Sequence, residues 1–149
     1  TAGLSVLEPL WVAAPGARFV SLQKGAGEDQ ARQPPAGQPL TDLAPAILDF
    51  ADTAAIVSQL DLVICGDTAI AHLAGALGRP CWVLLPCHGT DWRWMQERED
   101  SPWYPGVMRL YRQRSAGDWT AVLEQVARQL AQWAEERGRL PGGRPQAAT

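Results

Sequence analysis

The sequence predicts an α/β fold built on a parallel sheet, and three observations carry that prediction. Leu62 to Cys65 and Cys81 to Leu85 are apolar runs of strand length. Between them, Thr68 to Leu77 reads as a helix rich in small residues, with Asp67 as a good N-cap residue. Gly78 and then Pro80 stop that helix in the usual order. Strand, tight turn, helix, turn, strand in so short a span is a βαβ unit, and such units join parallel strands. The N-terminal end of its helix faces the C-terminal edge of the sheet, where open α/β folds bind ligands. Free amides of Thr68, Ala69 and Ile70 would present about half a positive charge there, a ready seat for a phosphate group.

The other elements follow in order. Leu4 to Ala14 has the spacing of a short amphipathic helix, ended by Pro15-Gly16. Ala17 to Leu22 is the first strand, with Gln23-Lys24-Gly25 directly at its C-terminal end. Residues Gly25 to Thr41 are rich in Gly, Pro and Gln, lack periodicity and read as a mobile loop; a loop of that length in a compact domain is usually functional or disordered. Ile47 to Phe50 is a short strand candidate, followed by a helix over Thr53 to Leu60 capped by Asp52. Pro86 to Gly106 has neither helical nor strand period, and Val107 to Tyr111 is the last strand. Asp118 caps a final helix whose Trp119, Val122, Val126, Leu130 and Trp133 repeat at three to four residues and should lay one stripe on the sheet. The resulting organisation is one domain over 1–137 and a disordered tail over 138–149.

Bulk properties exclude several classes. At 149 residues the chain is long enough for one domain with a real core, and 46 % hydrophobic with 19 % charged residues is an ordinary globular balance. A net charge of −3 argues against a general nucleic-acid surface. Apolar stretches are broken by Asp61, Asp67 and Arg79 before any reaches membrane-spanning length. No signal peptide is evident, and a chain that opens on Thr1 reads as a segment of something longer. Cys65 and Cys81 fall in strands as buried thiols, which suits a reducing cytoplasm.

The residues that could carry chemistry cluster at strand ends. Lys24 is the only lysine among 13 basic residues. It ends the first strand as the Thr68 amides end another, so one parallel sheet would put both on the same edge, where a cation and a helix N-terminus suit a diphosphate. The plainer alternative is a solvated loop lysine. Asp67 either caps its helix, worth about 1 kcal/mol, or accepts hydrogen bonds from sugar hydroxyls, since a carboxylate repels phosphate. Thr68 can offer both hydroxyl and amide. His72, one helical turn further on, either reaches a sugar, ribose or phosphate or is a core histidine bonded to a backbone carbonyl. Trp92, Trp94 and Trp103 could stack on a base or sugar or close the rim of the core; Trp103 fits the rim, while Trp92 stays open. No metal site is expected, because Cys81, Cys87, His88 and His72 lack zinc spacing. P-loop, dinucleotide-binding and nucleophile-elbow motifs are all missing.

Three segments taken together resemble a known family. Phe19 to Gly25, Asp49 to Ala55 and Asp67-Thr68-Ala69-Ile70-Ala71-His72-Leu73-Ala74, continuing to Pro80, resemble the C-terminal domain of the heptosyltransferase-like glycosyltransferases. With Asp91-Trp92-Arg93-Trp94 and Ser101-Pro102-Trp103-Tyr104-Pro105 they look most like bacterial tetratricopeptide-repeat proteins that carry such a domain. The resemblance spans about Leu4 to Trp133. It implies a Rossmann-like three-layer α/β sandwich with a parallel sheet, the C-terminal half of a type-B glycosyltransferase, which holds a nucleotide-diphosphate sugar as donor substrate and needs no other cofactor. By that likeness Gln23 and Lys24 lie at the donor, Lys24 on its diphosphate. Thr68 and Ala69 meet the diphosphate through backbone amides, and Asp67 and His72 bind sugar or ribose hydroxyls. The donor class extends from ADP-heptose to UDP-sugars, whose transferases share the broader plan. A metal-free donor site stabilises its leaving diphosphate by cations and amides alone. The acceptor's base would come from an N-terminal acceptor or repeat domain outside this stretch, so the stretch alone should bind rather than catalyse. A different class stays open beside it: a non-catalytic interaction or scaffold module that kept the fold.

Overall fold

The computed structural model describes residues 3–34, 36–38 and 40–138. Its helices and parallel strands alternate along the chain, as the α/β prediction requires. The strands form two separate sheets, β1 (Phe19–Ser21) with β2 (Leu40–Asp42), and β3 (Val63–Gly66), β4 (Cys81–Leu85) and β5 (Met108–Arg112) in that order. The pairs β1–β2, β3–β4 and β4–β5 are all parallel. The expectation that Lys24 and the Thr68 amides end strands of one sheet is therefore corrected: β1 takes β2 as its hydrogen-bonded neighbour and β3 takes β4. The chain divides into two compact units, Thr1–Pro45 with Trp119–Thr149, and Ala46–Asp118.

In the first unit, a 3-10 turn over Leu4–Leu7 leads into α1 (Glu8–Ala13), which carries Pro9 in its first turn. The segment read as a mobile loop instead contains α2 (Glu28–Arg32) and the first two residues of β2. Gly27, at φ 87°, enters α2, and a Glu28–Arg32 ion pair of 2.7 Å spans it. β2 runs alongside β1 in register Phe19 to Leu40 and Ser21 to Asp42. α5 (Trp119–Gly138) packs against α1 and the 3-10 turn through its buried Val122, Leu123, Val126 and Leu130. Trp119 and Trp133, the ends of the expected stripe, are only half-buried. Gly138, the first residue of the predicted tail, instead closes α5, and 139–149 lie outside the described residues.

The second unit opens with a correction. Ile47 to Phe50 is not a strand: α3 (Phe50–Gln59) begins there, and Asp49 rather than Asp52 is its cap. The Asp49 carboxylate accepts from the amides of Ala51 (2.8 Å) and Asp52 (3.0 Å), and the Asp52 carboxylate accepts from that of Asp49 (3.3 Å). This reciprocal capping box stabilises the helix start. α4 (Ala69–Ala76) joins β3 to β4 and buries Ala71, Ala74 and Gly75. β4 is the middle strand of its sheet, with Cys81, Trp82, Val83 and Leu85 all buried, the pattern of a parallel strand covered on both faces. Between β4 and β5 the chain makes a 3-10 turn over Trp92–Trp94 and one antiparallel bridge from Asp100 to Arg109. Among the described residues no helix is long and apolar enough to cross a membrane.

Candidate functional site

The exposed end of α4 is built by the residues that follow β3. Gly66 ends the strand, Asp67 turns the chain, and Thr68, extended at φ −142° and ψ 167°, is the N-cap residue. Its side chain makes no capping hydrogen bond. Asp67, Thr68 and Ala69 are all exposed. A helix start leaves its first amides without intrahelical partners, so the N–H groups of the first turn and the positive end of the helix dipole meet solvent at the carboxyl end of a parallel strand.

Asp67 does not cap this helix, contrary to its sequence signature. Its Oδ1 accepts from the indole Nε1 of Trp94 at 2.7 Å and its Oδ2 from the amide of Asp91 at 3.1 Å. An aspartate carboxylate can satisfy either its own helix or a distant donor, and Trp94, fully buried, needs that acceptor. The Trp94 ring lies nearly parallel to His72, with centroids 5.0 Å apart and planes 22° apart. His72 Nδ1 in turn shares a 3.0 Å hydrogen bond with the Tyr104 hydroxyl, so its partner is a phenol rather than a backbone carbonyl. The Tyr104 ring sits directly over Gly75, where a Cβ would come within 2.5 Å of it. Asp67, His72 and Gly75 together thus fasten two loops onto α4.

The first of those loops is held from below as well. Asp91 accepts from the Arg93 amide (2.8 Å) and pairs with the Arg93 guanidinium (2.7 Å), and these hold its carboxyl below the usual carboxylate range, the amide contributing most. Arg112, the last residue of β5, donates to Thr90 Oγ1 (3.1 Å) and to the carbonyls of Trp94 (3.3 Å) and Met95. Met95 adopts φ 52°, a conformation unusual outside glycine. Arg112 has neutral oxygens as partners, and burial lowers its pKa. Sequence reasoning missed it. The available signal was an arginine at the C-terminal end of a predicted strand, where a parallel sheet collects its functional loops.

Gln23 and Lys24 lie in the first unit, directly after β1, and both are exposed. Gln23 Nε2 donates to the Ala26 carbonyl at 2.8 Å, and Lys24 Nζ to that of Ala44 at 2.8 Å. The turn between them and α2 is closed by Glu28, whose carboxylate accepts from the Gly25 amide at 3.2 Å and is held below its ordinary pKa by that bond and then by Arg32. Asp67, Thr68, Ala69 and His72 lie in the second unit. Cys65 and Cys81 are free thiols with sulfurs 3.8 Å apart, and the Cys65 sulfur together with burial pushes the Cys81 thiol up. Among the described residues no group of three or more His, Cys, Asp or Glu could hold a metal ion.

These elements define an α/β protein with an exposed helix N-terminus at the carboxyl edge of a parallel sheet. The comparisons narrow the class. Residues 17–84 match the family model of glycosyltransferase family 9 (heptosyltransferase), a span that contains Gln23, Lys24, Asp67, Thr68, Ala69 and His72. That match supports a glycosyltransferase-like domain, and the alternating helices and parallel strands are consistent with a Rossmann-like fold. Protein FlbA of Caulobacter vibrioides (strain ATCC 19089 / CIP 103742 / CB 15) is 32% identical over 124 residues, which cover 80% of this chain and 20% of FlbA. The chain thus spans about a fifth of that relative's length. No solved structure matches significantly.

Proposed function

We propose that this chain is the donor-binding half of a metal-independent inverting glycosyltransferase, a C-terminal domain that takes a nucleotide-diphosphate sugar and is inactive by itself. The observation that carries this reading is the uncapped N-terminus of α4 directly behind a parallel strand, inside the segment matched to glycosyltransferase family 9. The amides of its first turn receive the donor's diphosphate and stabilise the charge that gathers on it as the glycosidic bond breaks. An N-terminal acceptor domain, of tetratricopeptide-repeat type, supplies the base, and the free thiols fit a cytoplasmic setting.

The test is thermal stability of the full chain with ADP, GDP and UDP, each with and without Mg²⁺. A ligand at 100 times its Kd adds about 2.7 kcal/mol of stability. The expected result is stabilisation that does not require metal and is weakened in Ala69→Pro. That substitution removes one amide at a position where proline suits a helix and where Thr68 is already extended. Stabilisation unchanged in Ala69→Pro refutes the amide site. One observation favours a second reading, a non-catalytic interaction module: Asp67 and His72 already engage Trp94, Asp91 and Tyr104. That reading gains if millimolar nucleotide leaves the melting curve unchanged.

A further inference from the structure

Two exposed indoles stand on the loops fastened to α4, and the diphosphate reading does not use them. Trp92 is 66% and Trp103 52% exposed, with ring centroids 5.7 Å apart and planes at 88°. Leaving two of the largest apolar side chains in water forgoes burial that most tryptophans obtain. Neither is loosely hung. Trp92 lies between the two groups that donate to Asp67, the Asp91 amide and the Trp94 indole. Trp103 precedes Tyr104, which is bound to His72 and seated on Gly75. The first two turns of α4 and the residue before its cap therefore hold both rings in place.

Two perpendicular rings form a corner in which a flat ring stacks on one indole and meets the other edge-on. The Arg93 guanidinium covers one face of Trp92 at 4.9 Å, and the ring is still largely exposed. The chemistry favours an aromatic guest over a saturated sugar. A pyranose needs polar partners for its hydroxyls, but both oxygens of Asp67 and both of Asp91 are already engaged. A nucleobase needs only a π-face, and every base has one.

We propose that the Trp92–Trp103 corner is the stacking subsite for the nucleobase of a nucleoside diphosphate, with Asp67 and His72 as positioning residues for its two walls. The proposal rests on the reading that the α4 N-terminus takes the diphosphate. Calorimetric titration of the full chain with ADP, UDP, adenosine and inorganic pyrophosphate separates the two. Trp92→Ala and Trp103→Ala should each weaken ADP and UDP by about tenfold or more, the range for losing one base–aromatic stack, and leave pyrophosphate binding unchanged. Trp92→Phe should restore most of the affinity. Both side chains are more than half exposed, so their removal spares the fold. Unchanged nucleotide affinity in both alanine variants overturns the subsite, as does pyrophosphate binding as tightly as ADP. Adenosine binding without pyrophosphate binding overturns the diphosphate reading but supports the corner. Binding of none of the four overturns both.

Discussion

An alanine at Gly75 sets two opposed effects against each other. Gly75 lies inside α4, where replacing glycine by alanine favours the helix by about 1 kcal/mol. The new Cβ, however, would stand 2.5 Å from Cδ1 and 2.7 Å from Cγ of Tyr104, and 2.8 Å from Cε of Met108. Carbon atoms prefer about 3.5–4.0 Å, so the ring must retreat by about 1 Å. Met108 meets the Cβ with the end of a flexible side chain. Tyr104 meets it with a rigid ring whose hydroxyl is bonded to His72 at 3.0 Å. Overpacking of this kind costs about 1–3 kcal/mol, and the loss of the His72 bond about 1 kcal/mol more. Helix propensity offsets about one of these, so Gly75→Ala should destabilise by about 1–3 kcal/mol, a fall of several degrees in Tm. Denaturant unfolding of the full chain measures it. A variant as stable as wild type would show that propensity wins and the ring yields freely. The sharper refutation is a double-mutant cycle. In a Tyr104→Ala background Gly75→Ala should become neutral or gain up to about 1 kcal/mol, and an equal loss in both backgrounds would mean that the ring is not the obstacle.

Two further outcomes are expected. Tyr111 is 1% exposed, its hydroxyl has no hydrogen-bond partner among the described residues, and burial pushes its pKa up to about 12. The folded pKa lies above the unfolded value of about 10, so this contribution is complete below about pH 10 and lost as pH rises toward and past 12, about 3 kcal/mol in all. Tyr111→Phe should be neutral or stabilising at pH 7 and should remove that part of the alkaline loss; an unchanged unfolding curve between pH 9 and pH 12 contradicts this. At α3, Asp49→Ala removes the acceptor of the Ala51 and Asp52 amides and should lower unfolding free energy by about 1 kcal/mol, while Asp49→Asn loses less. Equal losses in the two variants would show that the side chain does not act as a cap.

How much could be read before the structure depended on whether the signal was local. β4 falls on the expected residues Cys81 to Leu85, and β3 and α4 within one residue of theirs, because an apolar run and its glycine and proline stops need no distant partner to be recognised. β2 was illegible: Leu40–Asp42 is three residues beyond a glycine- and proline-rich stretch, and only pairing with β1 makes it a strand. Ile47 to Phe50 misled in the other direction. An apolar run of that length resembles a strand, but Leu48 is 90% and Phe50 60% exposed, and the Asp49 capping box turns the chain into a helix.

The site divides along the same line. Sequence alone determined that a helix starts within one residue of Thr68 behind a strand, and so that amides and a dipole end there, since both follow from backbone geometry. It also picked out Asp67, His72 and Trp92 as residues of chemical interest. Only the tertiary structure decided what they touch. Asp67 reaches Trp94 27 residues away rather than its own helix, His72 reaches Tyr104 32 residues away, and Arg112 ties down the Thr90–Met95 loop. The physical reason is that a side-chain donor or acceptor carries no address in the sequence: a carboxylate or imidazole takes whichever partner packing brings within about 3 Å, and packing is a property of the whole fold.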